Sequence, residues 1–310
     1  MARYIIGRVI SLIFVLFMVS LIAFFLMHAV PGGPFDIGER RLPEGTRQAQ
    51  LEKYGLDQPL LVQYVKFISH AVRGDFGVSF QRPTETVTEL IGGRWPITIK
   101  IGIPTIIIAY TFGTLLGFIA AVRQNSWVDY AVTTVGTLGL TVPSWVIGTW
   151  LILILSVRFD VLPSGGWGEW RNYIMPVFAY SLAPMALVAR YTRFSIIETM
   201  RADHVRTARA KGLSEHRVMI SHVGRNAAIP WVTVLLPEIP NILTGSIFIE
   251  AIFRIPGLGS YFVTSTLSRD YPLILALTLI IAALWGITYL LTDILYTILD
   301  PRIRLMRDSS

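Results

Sequence analysis

The residues best suited to contacting something outside the chain crowd into one segment, Val205-Arg206-Thr207-Ala208-Arg209-Ala210-Lys211-Gly212-Leu213. Arg206, Arg209 and Lys211 supply positive charge there, and Ala208 and Ala210 keep the backbone slim. Gly212 suits the left-handed residue that ends a helix. Ser214 and Glu215 suit the start of the next helix, where the dipole favours a carboxylate. The pattern predicts a helix over 196–211 and a second one meeting it at a sharp corner. Two uses fit such a corner: entry into a groove on a partner, or a solvated basic loop that only sets topology. A second constellation is Pro237-Glu238-Ile239-Pro240-Asn241, which places a carboxylate, an amide and two helix breakers inside an apolar run. A charge inside a membrane segment marks a functional candidate, and a broken helix there lines a cavity. Pro143 and Ser144 form a smaller version, with Pro143 and Pro184 expected to kink their helices.

The chain's own chemistry is narrow. None of its lysines, Lys53, Lys66, Lys100 and Lys211, follows a glycine, so the Gly-Lys-Ser/Thr phosphate loop is missing. Neither His-Glu-x-x-His nor Gly-x-Ser-x-Gly occurs. Cysteine is absent, which excludes disulfides and thiolate metal sites. His204, His216 and His222 share the polar loop, but Gly212 breaks their register and no carboxylate cluster accompanies them. No metal, cofactor or catalytic residue is expected, and the chain cannot bind ATP through the phosphate-loop motif.

Composition says what positions these residues. The 310 residues are 53% hydrophobic and 15% charged, where globular domains carry about 25% charged residues. The shortfall points to a bilayer. The net charge of +7 is attributed to positive cytoplasmic loops rather than to nucleic acid. Six segments approach the roughly 20 apolar residues that a crossing needs: 10–30, 97–122, 131–157, 173–189, 229–253 and 273–299. The first follows Arg3 and Arg8 but outruns a signal-peptide core and lacks a small-x-small cleavage site, so it reads as a retained span. The expected fold is an all-α membrane protein with six transmembrane helices. Arg3, Arg8, Arg123, eight basic residues from Arg190 to Arg225, and Arg302, Arg304 and Arg307 fall on one side. The short loops opposite hold only Arg158, Arg171, Arg254 and Arg269. The excess puts the N- and C-termini in the cytoplasm.

Residues 31–96 then form a small extracytoplasmic helical insert. Glu44–Tyr54 reads as a helix ended by Gly55, and 60–72 as an amphipathic helix with Leu61, Tyr64, Val65 and Ile68 at helical spacing. Thr86 and Glu89 make a capping box before the second span. The adhesion-like tripeptide Arg73-Gly74-Asp75 is read as chance.

On these residues the chain resembles a known family. Arg206-Thr207-Ala208, followed three residues later by Gly212, resembles the coupling loop of bacterial importer permeases. Arg206 stands where the general pattern has an acidic residue, and His222-Val223-Gly224-Arg225 replaces its later Ile-x-Leu-Pro. Both departures resemble the dipeptide/oligopeptide/nickel branch. Val30-Pro31-Gly32-Gly33-Pro34-Phe35, Gly74-Asp75-Phe76-Gly77 with Ser79, and Val142-Pro143-Ser144 look like motifs of that branch. So do Leu162-Pro163-Ser164-Gly165-Gly166-Trp167, Ile255-Pro256-Gly257-Leu258-Gly259, Arg269-Asp270-Tyr271 and Asp300-Pro301-Arg302-Ile303-Arg304. The insert Gly38-Glu39-Arg40-Arg41-Leu42-Pro43 resembles the oligopeptide version of the "B" permease.

The resemblance implies a non-catalytic permease in the bacterial inner membrane. Its partners would be a homologous second permease, two cytoplasmic ATPases and an extracytoplasmic binding protein that delivers peptide. Arg206, Thr207, Ala208, Arg209, Ala210, Lys211, Gly212, Leu213 and Glu215 would couple to the ATPase. Pro237, Glu238, Pro240, Asn241, Pro143 and Ser144 become pathway candidates. Pro256, Gly257, Leu258 and Gly259 become candidates for binding-protein contact. The organisation is then 1–96 (first span plus insert), 97–300 (five-helix permease core with the coupling loop 190–226) and 301–310 (cytoplasmic tail).

Overall fold

A computed structural model describes residues 2–35, 44–224, 226–227 and 235–299. In chain order the helices are α1 (Ala2–Ala29), α2 (Glu44–Tyr54), α3 (Leu60–Ala71), α4 (Val87–Val122), α5 (Trp127–Thr141) and α6 (Ser144–Leu151), which Ile152–Arg158 continues as π-helix. Then come α7 (Arg171–Met200), α8 (Asp203–Ala210) and α9 (Glu215–Arg217), continued as π-helix by Val218–Gly224. The last are α10 (Glu238–Leu243), α11 (Ile247–Ile252), α12 (Leu258–Leu267) and α13 (Tyr271–Leu299). The only extended pairing among the described residues is an isolated bridge between Val78 and Thr86. Among the described residues, four helices are long and apolar enough to cross a membrane: α1, α4, α7 and α13. The pair α5 and α6 makes a fifth crossing if counted as one span, bent by 97°.

The bend comes from Pro143, as expected from its missing N–H. Val142 before it is extended at φ −81°, ψ 120°, and Pro143 becomes the N-cap of α6; proline drives the preceding residue out of the helical region. Pro184 behaves differently, because α7 runs through both Pro176 and Pro184. The run expected at 196–211 is divided. α7 continues to Met200, Ala202 turns extended (φ −70°, ψ 148°), and α8 starts at Asp203. The run 229–253 is not one helix either. Residues 228–234 lie outside the described set, and the rest forms α10 and α11, separated by Gly245 at φ +89°.

The chain divides into two compact units. In the first, 1–98 with 256–287, the start of α4 brings Val87, Leu90 and Ile91 against Leu258, Tyr261, Leu273 and Leu277. The capping box forms: Thr86 N–H donates to the Glu89 carboxylate at 3.0 Å, and Glu89 N–H donates to Thr86 Oγ1 at 3.2 Å. α1 and α13 run antiparallel, since the His28 ring lies 5.0 Å from Tyr271 while a Cβ on Gly286 would meet Leu12. α3 lies against both: Phe24, Tyr64 and Leu275 form one buried cluster, and the Tyr64 hydroxyl is 2.8 Å from Ser20 Oγ. The face of α3 is corrected here. Tyr64, Phe67 and Ile68 pack inward, whereas Leu61 and Val65 are 67% and 64% exposed.

In the second unit, 99–255 with 288–310, α4 meets α7 closely, with the Val188 and Thr192 side chains of α7 packed against two α4 glycines. A Cβ on Gly113 would lie 2.6 Å from the Met185 carbonyl oxygen, and one on Gly117 2.4 Å from that of Ala189. This Gly-x-x-x-Gly contact suits a bilayer, where packing rather than water expulsion holds helices together. α5 is tied to α7 by Arg193, whose Nη2 donates to the Asp129 carboxylate at 2.7 Å and Nε at 2.5 Å. Asp129 is buried, and it also accepts the Asn125 N–H.

Candidate functional site

The corner at Gly212 is built by hydrogen bonds. Leu213 N–H donates to the Ala208 carbonyl at 3.3 Å, Gly212 N–H donates to that of Arg209 at 2.9 Å, and Gly212 sits at φ +76°. This is the Schellman closure. Leu213 supplies its apolar partner by packing on a cluster that contains Val205, Ala208, Val218 and Val223. Ala208 therefore faces inward, and only Ala210 and Gly212 keep the exposed tip slim. Arg206, Thr207, Arg209, Ala210, Lys211, Gly212 and Glu215 are exposed.

Charge at the corner is more constrained than a count of basic residues suggests. Arg209 spans the corner and donates from Nε and Nη2 to the Glu215 carboxylate at 3.1 and 2.6 Å. That hydrogen bonding holds the Glu215 carboxyl below its ordinary range and lifts the Arg209 guanidinium further. Arg206 lies 3.5 Å from Asp203. Ser214 occupies the N-cap of α9, but its side chain makes no cap bond; its carbonyl accepts the Val218 N–H instead. His204 faces Asn226 at 3.2 Å.

The second constellation is held by two tyrosines. Glu238 and Asn241 lie three residues apart on α10, and so share a face; Asn241 is exposed, Pro240 is buried, and Pro237 and Glu238 are intermediate. The break at Gly245 leaves carbonyls at the end of α10 without helical partners. Tyr180 of α7 donates its hydroxyl to the Asn241 carbonyl at 3.0 Å, and Thr244 Oγ1 also reaches that oxygen at 3.3 Å. Tyr110 of α4 donates to the Leu235 carbonyl. Gly102 lets α4 approach α10, since a Cβ there would sit 3.2 Å from the Ile242 carbonyl oxygen. Spacing does not single out Tyr110 or Tyr180; the usable signal is a phenol inside an apolar span, which needs a hydrogen-bond partner. Pro143 is exposed at the bend and Ser144 is half-buried beside it. α11 ends at Ile252, Arg254 takes φ +53°, and its guanidinium donates to Ser164 Oγ at 3.1 Å.

A third assembly joins motifs that lie far apart in sequence. Arg269 ends α12 at φ +53° and donates to the Pro31 carbonyl at 2.8 Å, beside Gly32. Buried Asp270 accepts hydrogen bonds from Ser79 Oγ and from Phe80 N–H. Gly74 is used as a helix stop: it has φ +77°, and Asp75 N–H donates back to His70. Next to this knot Pro256 accepts a bond from Arg94 at 2.9 Å, and Leu258 N–H donates to Thr98 Oγ1 at 2.7 Å. Gly257, Leu258 and Gly259 are buried, which leaves Pro256 as the partly exposed member of that group.

Comparison with known proteins covers nearly all of this chain. Residues 113–305 match the family model "Binding-protein-dependent transport system inner membrane component", and residues 1–102 match the model for the N-terminal part of such a membrane component. The chain is 38% identical over 305 residues to the dipeptide transport system permease protein DppB of Bacillus subtilis, covering 98% of this chain and 99% of the relative. It is 38% identical over 306 residues to the oligopeptide transport system permease protein OppB of Salmonella typhimurium, covering 98% and 100%. Among solved structures, the inward-facing MetNI methionine ABC transporter matches with a TM-score of 0.53 at 14% identity, covering 68% of this chain and 96% of that one. That likeness supports the fold.

Proposed function

This chain belongs to the family of binding-protein-dependent transport system inner membrane components, and we propose that it forms half of the peptide pathway in an ATP-driven importer. The supporting observation is the exposed corner at Gly212, rigidly closed and slim at its tip, in a chain that lacks a phosphate-binding loop of its own. The peptide class is supported by the full-length relatives, which are dipeptide and oligopeptide transport system permeases.

In this reading the corner residues Arg206, Thr207, Arg209, Ala210, Lys211, Gly212 and Glu215 seat in a cytoplasmic ATPase, with Ala208 and Leu213 supporting them from within. ATP-driven closure of two ATPases draws the corners of this chain and a homologous second permease together and turns the pathway outward. Glu238 and Asn241 line that pathway; Pro237, Pro240 and Pro143 with Ser144 shape it. An extracytoplasmic binding protein delivers the peptide to the face that carries Pro256, which Gly257, Leu258 and Gly259 back. The topology is six spans in the bacterial inner membrane with both termini in the cytoplasm. The sixth crossing falls in 229–253. The functional segments are 1–96, 97–300 with the coupling loop 190–226, and 301–310. Catalysis belongs to the ATPases.

Absence of cysteine makes the test clean. Ala210→Cys in the co-expressed assembly should cross-link to the ATPase subunit in a nucleotide-dependent way. Uptake that persists without any ATPase, with Ala210→Cys linking to nothing, would overturn the proposal.

A further inference from the structure

We infer that α3 lies within the bilayer, in the leaflet at the C-terminal end of α1, and presents Leu61, Val65 and Val72 to lipid acyl chains. The inference rests on the membrane reading of α1 given above.

Depth comes first. The Tyr64 hydroxyl bonds Ser20 Oγ at 2.8 Å, and the Tyr64 ring packs 5.3 Å from Phe24 and 6.3 Å from Phe17. Ser20 lies about 14 Å below the end of α1 at Ala29, at 1.5 Å per residue. A tyrosine side chain reaches less than half that distance, so α3 sits below the end of the span and not above it. Its 12 residues are too few to cross, and they suit a helix lying in the interface with its apolar face about 5–10 Å deep.

Azimuth comes second. At 100° per residue, α3 has three faces. Tyr64, Phe67 and Ala71 face the protein. Gln63, Lys66 and His70 form a polar face, and they line a cavity of about 520 Å³ with Glu52, Lys53 and Asp75. Leu61, Val65 and Val72 share the remaining face and are 67%, 64% and 83% exposed. This apolar row does not end at α3. Phe17 touches Tyr64 and is still 46% exposed, and it continues the exposed row Ile10, Ile13 and Phe14 of α1. One occupant satisfies both rows, and it is lipid. A wholly aqueous insert would leave Leu61, Val65 and Val72 in water while Tyr64 sits at mid-leaflet depth.

The experiment uses spin labels at Leu61→Cys, Val65→Cys and Lys66→Cys in the assembled transporter, in nanodiscs of phosphatidylethanolamine and phosphatidylglycerol. Collision with molecular oxygen, which concentrates in acyl chains, is compared with collision with a water-soluble nickel chelate. The expected result is a several-fold excess of oxygen over nickel at 61 and 65, and the reverse at 66. Nickel access at 61 and 65 would place α3 in water and overturn the inference. So would protection from both probes, which would mean that a protein partner covers the face. Retained peptide uptake shows that each variant is folded. An impermeant maleimide at Lys66→Cys, added from outside, separately reports which leaflet is involved, so a reversed topology would not be mistaken for loss of the lipid contact.

Discussion

Gly212 is the residue on which the corner between α8 and α9 turns. At φ +76° any residue with a Cβ is strained by about 1–2 kcal/mol, and Pro would also remove the N–H that closes the helix on Arg209. Gly212→Pro should abolish ATP-coupled uptake while the subunit still inserts, and Gly212→Ala should weaken uptake; vesicle transport beside a membrane-fraction blot reads both. The Arg209–Glu215 bracket depends on pH in a definite direction. Glu215 has a lowered pKa, so the bracket is intact above the ordinary carboxylate range and is lost as the pH falls through the lowered value. Glu215→Gln should weaken coupling of ATPase rate to peptide uptake at neutral pH, and Arg209→Glu with Glu215→Arg should recover part of it. Buried Asp270 is the matching point of the knot. Asp270→Ala strands Ser79 Oγ and the Phe80 N–H, and should cost about 2–3 kcal/mol, read as a lower unfolding midpoint of the purified complex. Gly212 and Gly55 were both legible in sequence, because glycine after a helical run has one common use. Arg254 and Arg269 were not: they occupy the same left-handed position with side chains, and contacts with Ser164 and Pro31 exist only in three dimensions.

Helices meet here through glycines and a buried charge. Gly113 and Gly117 put α4 on the α7 backbone, so Gly117→Leu should block folding, as a loss of full-length protein from the membrane. Gly136→Ala is the control, since its nearest neighbour would be an ordinary 3.9 Å away. Asp129→Asn leaves Arg193 beside a neutral partner in the α5–α7 contact and should lower stability, by less than the roughly 3–5 kcal/mol of a fully buried pair, because Arg193 is partly exposed. Arg193→Lys should retain part of that stability, because a lysine keeps the charge but not the two-pronged geometry; thermal unfolding in detergent ranks the three proteins. Apolar length marked α1, α4, α7 and α13 in advance. It did not show that α4 begins at Val87, that α7 continues to Met200, or that Ala202 separates α7 from α8. Periodicity alone does not fix a helix end, because capping and turn geometry compete with it.

For the whole molecule, topology is open to direct test. Alkaline phosphatase fused after Arg123 or Lys211 should be inactive, and fused after Val72 or Arg269 it should be active, if both termini are cytoplasmic. Composition by itself determined that the chain belongs in a bilayer, since 15% charge over 310 residues cannot solvate a globule of this apolarity. Motif order determined the branch. Tertiary structure decided the rest. It showed that Ala208 packs inward while Ala210 is exposed, and that Arg209 spends its charge on Glu215. It also supplied Tyr110 and Tyr180 as the donors for the carbonyls of the broken segment. The motifs around Pro31, Ser79 and Asp270 proved to be parts of one hydrogen-bonded knot. The physical reason is range: hydropathy, caps and glycine turns act within a few residues, whereas a hydrogen bond from position 79 to position 270 becomes visible only once the helices between them have packed.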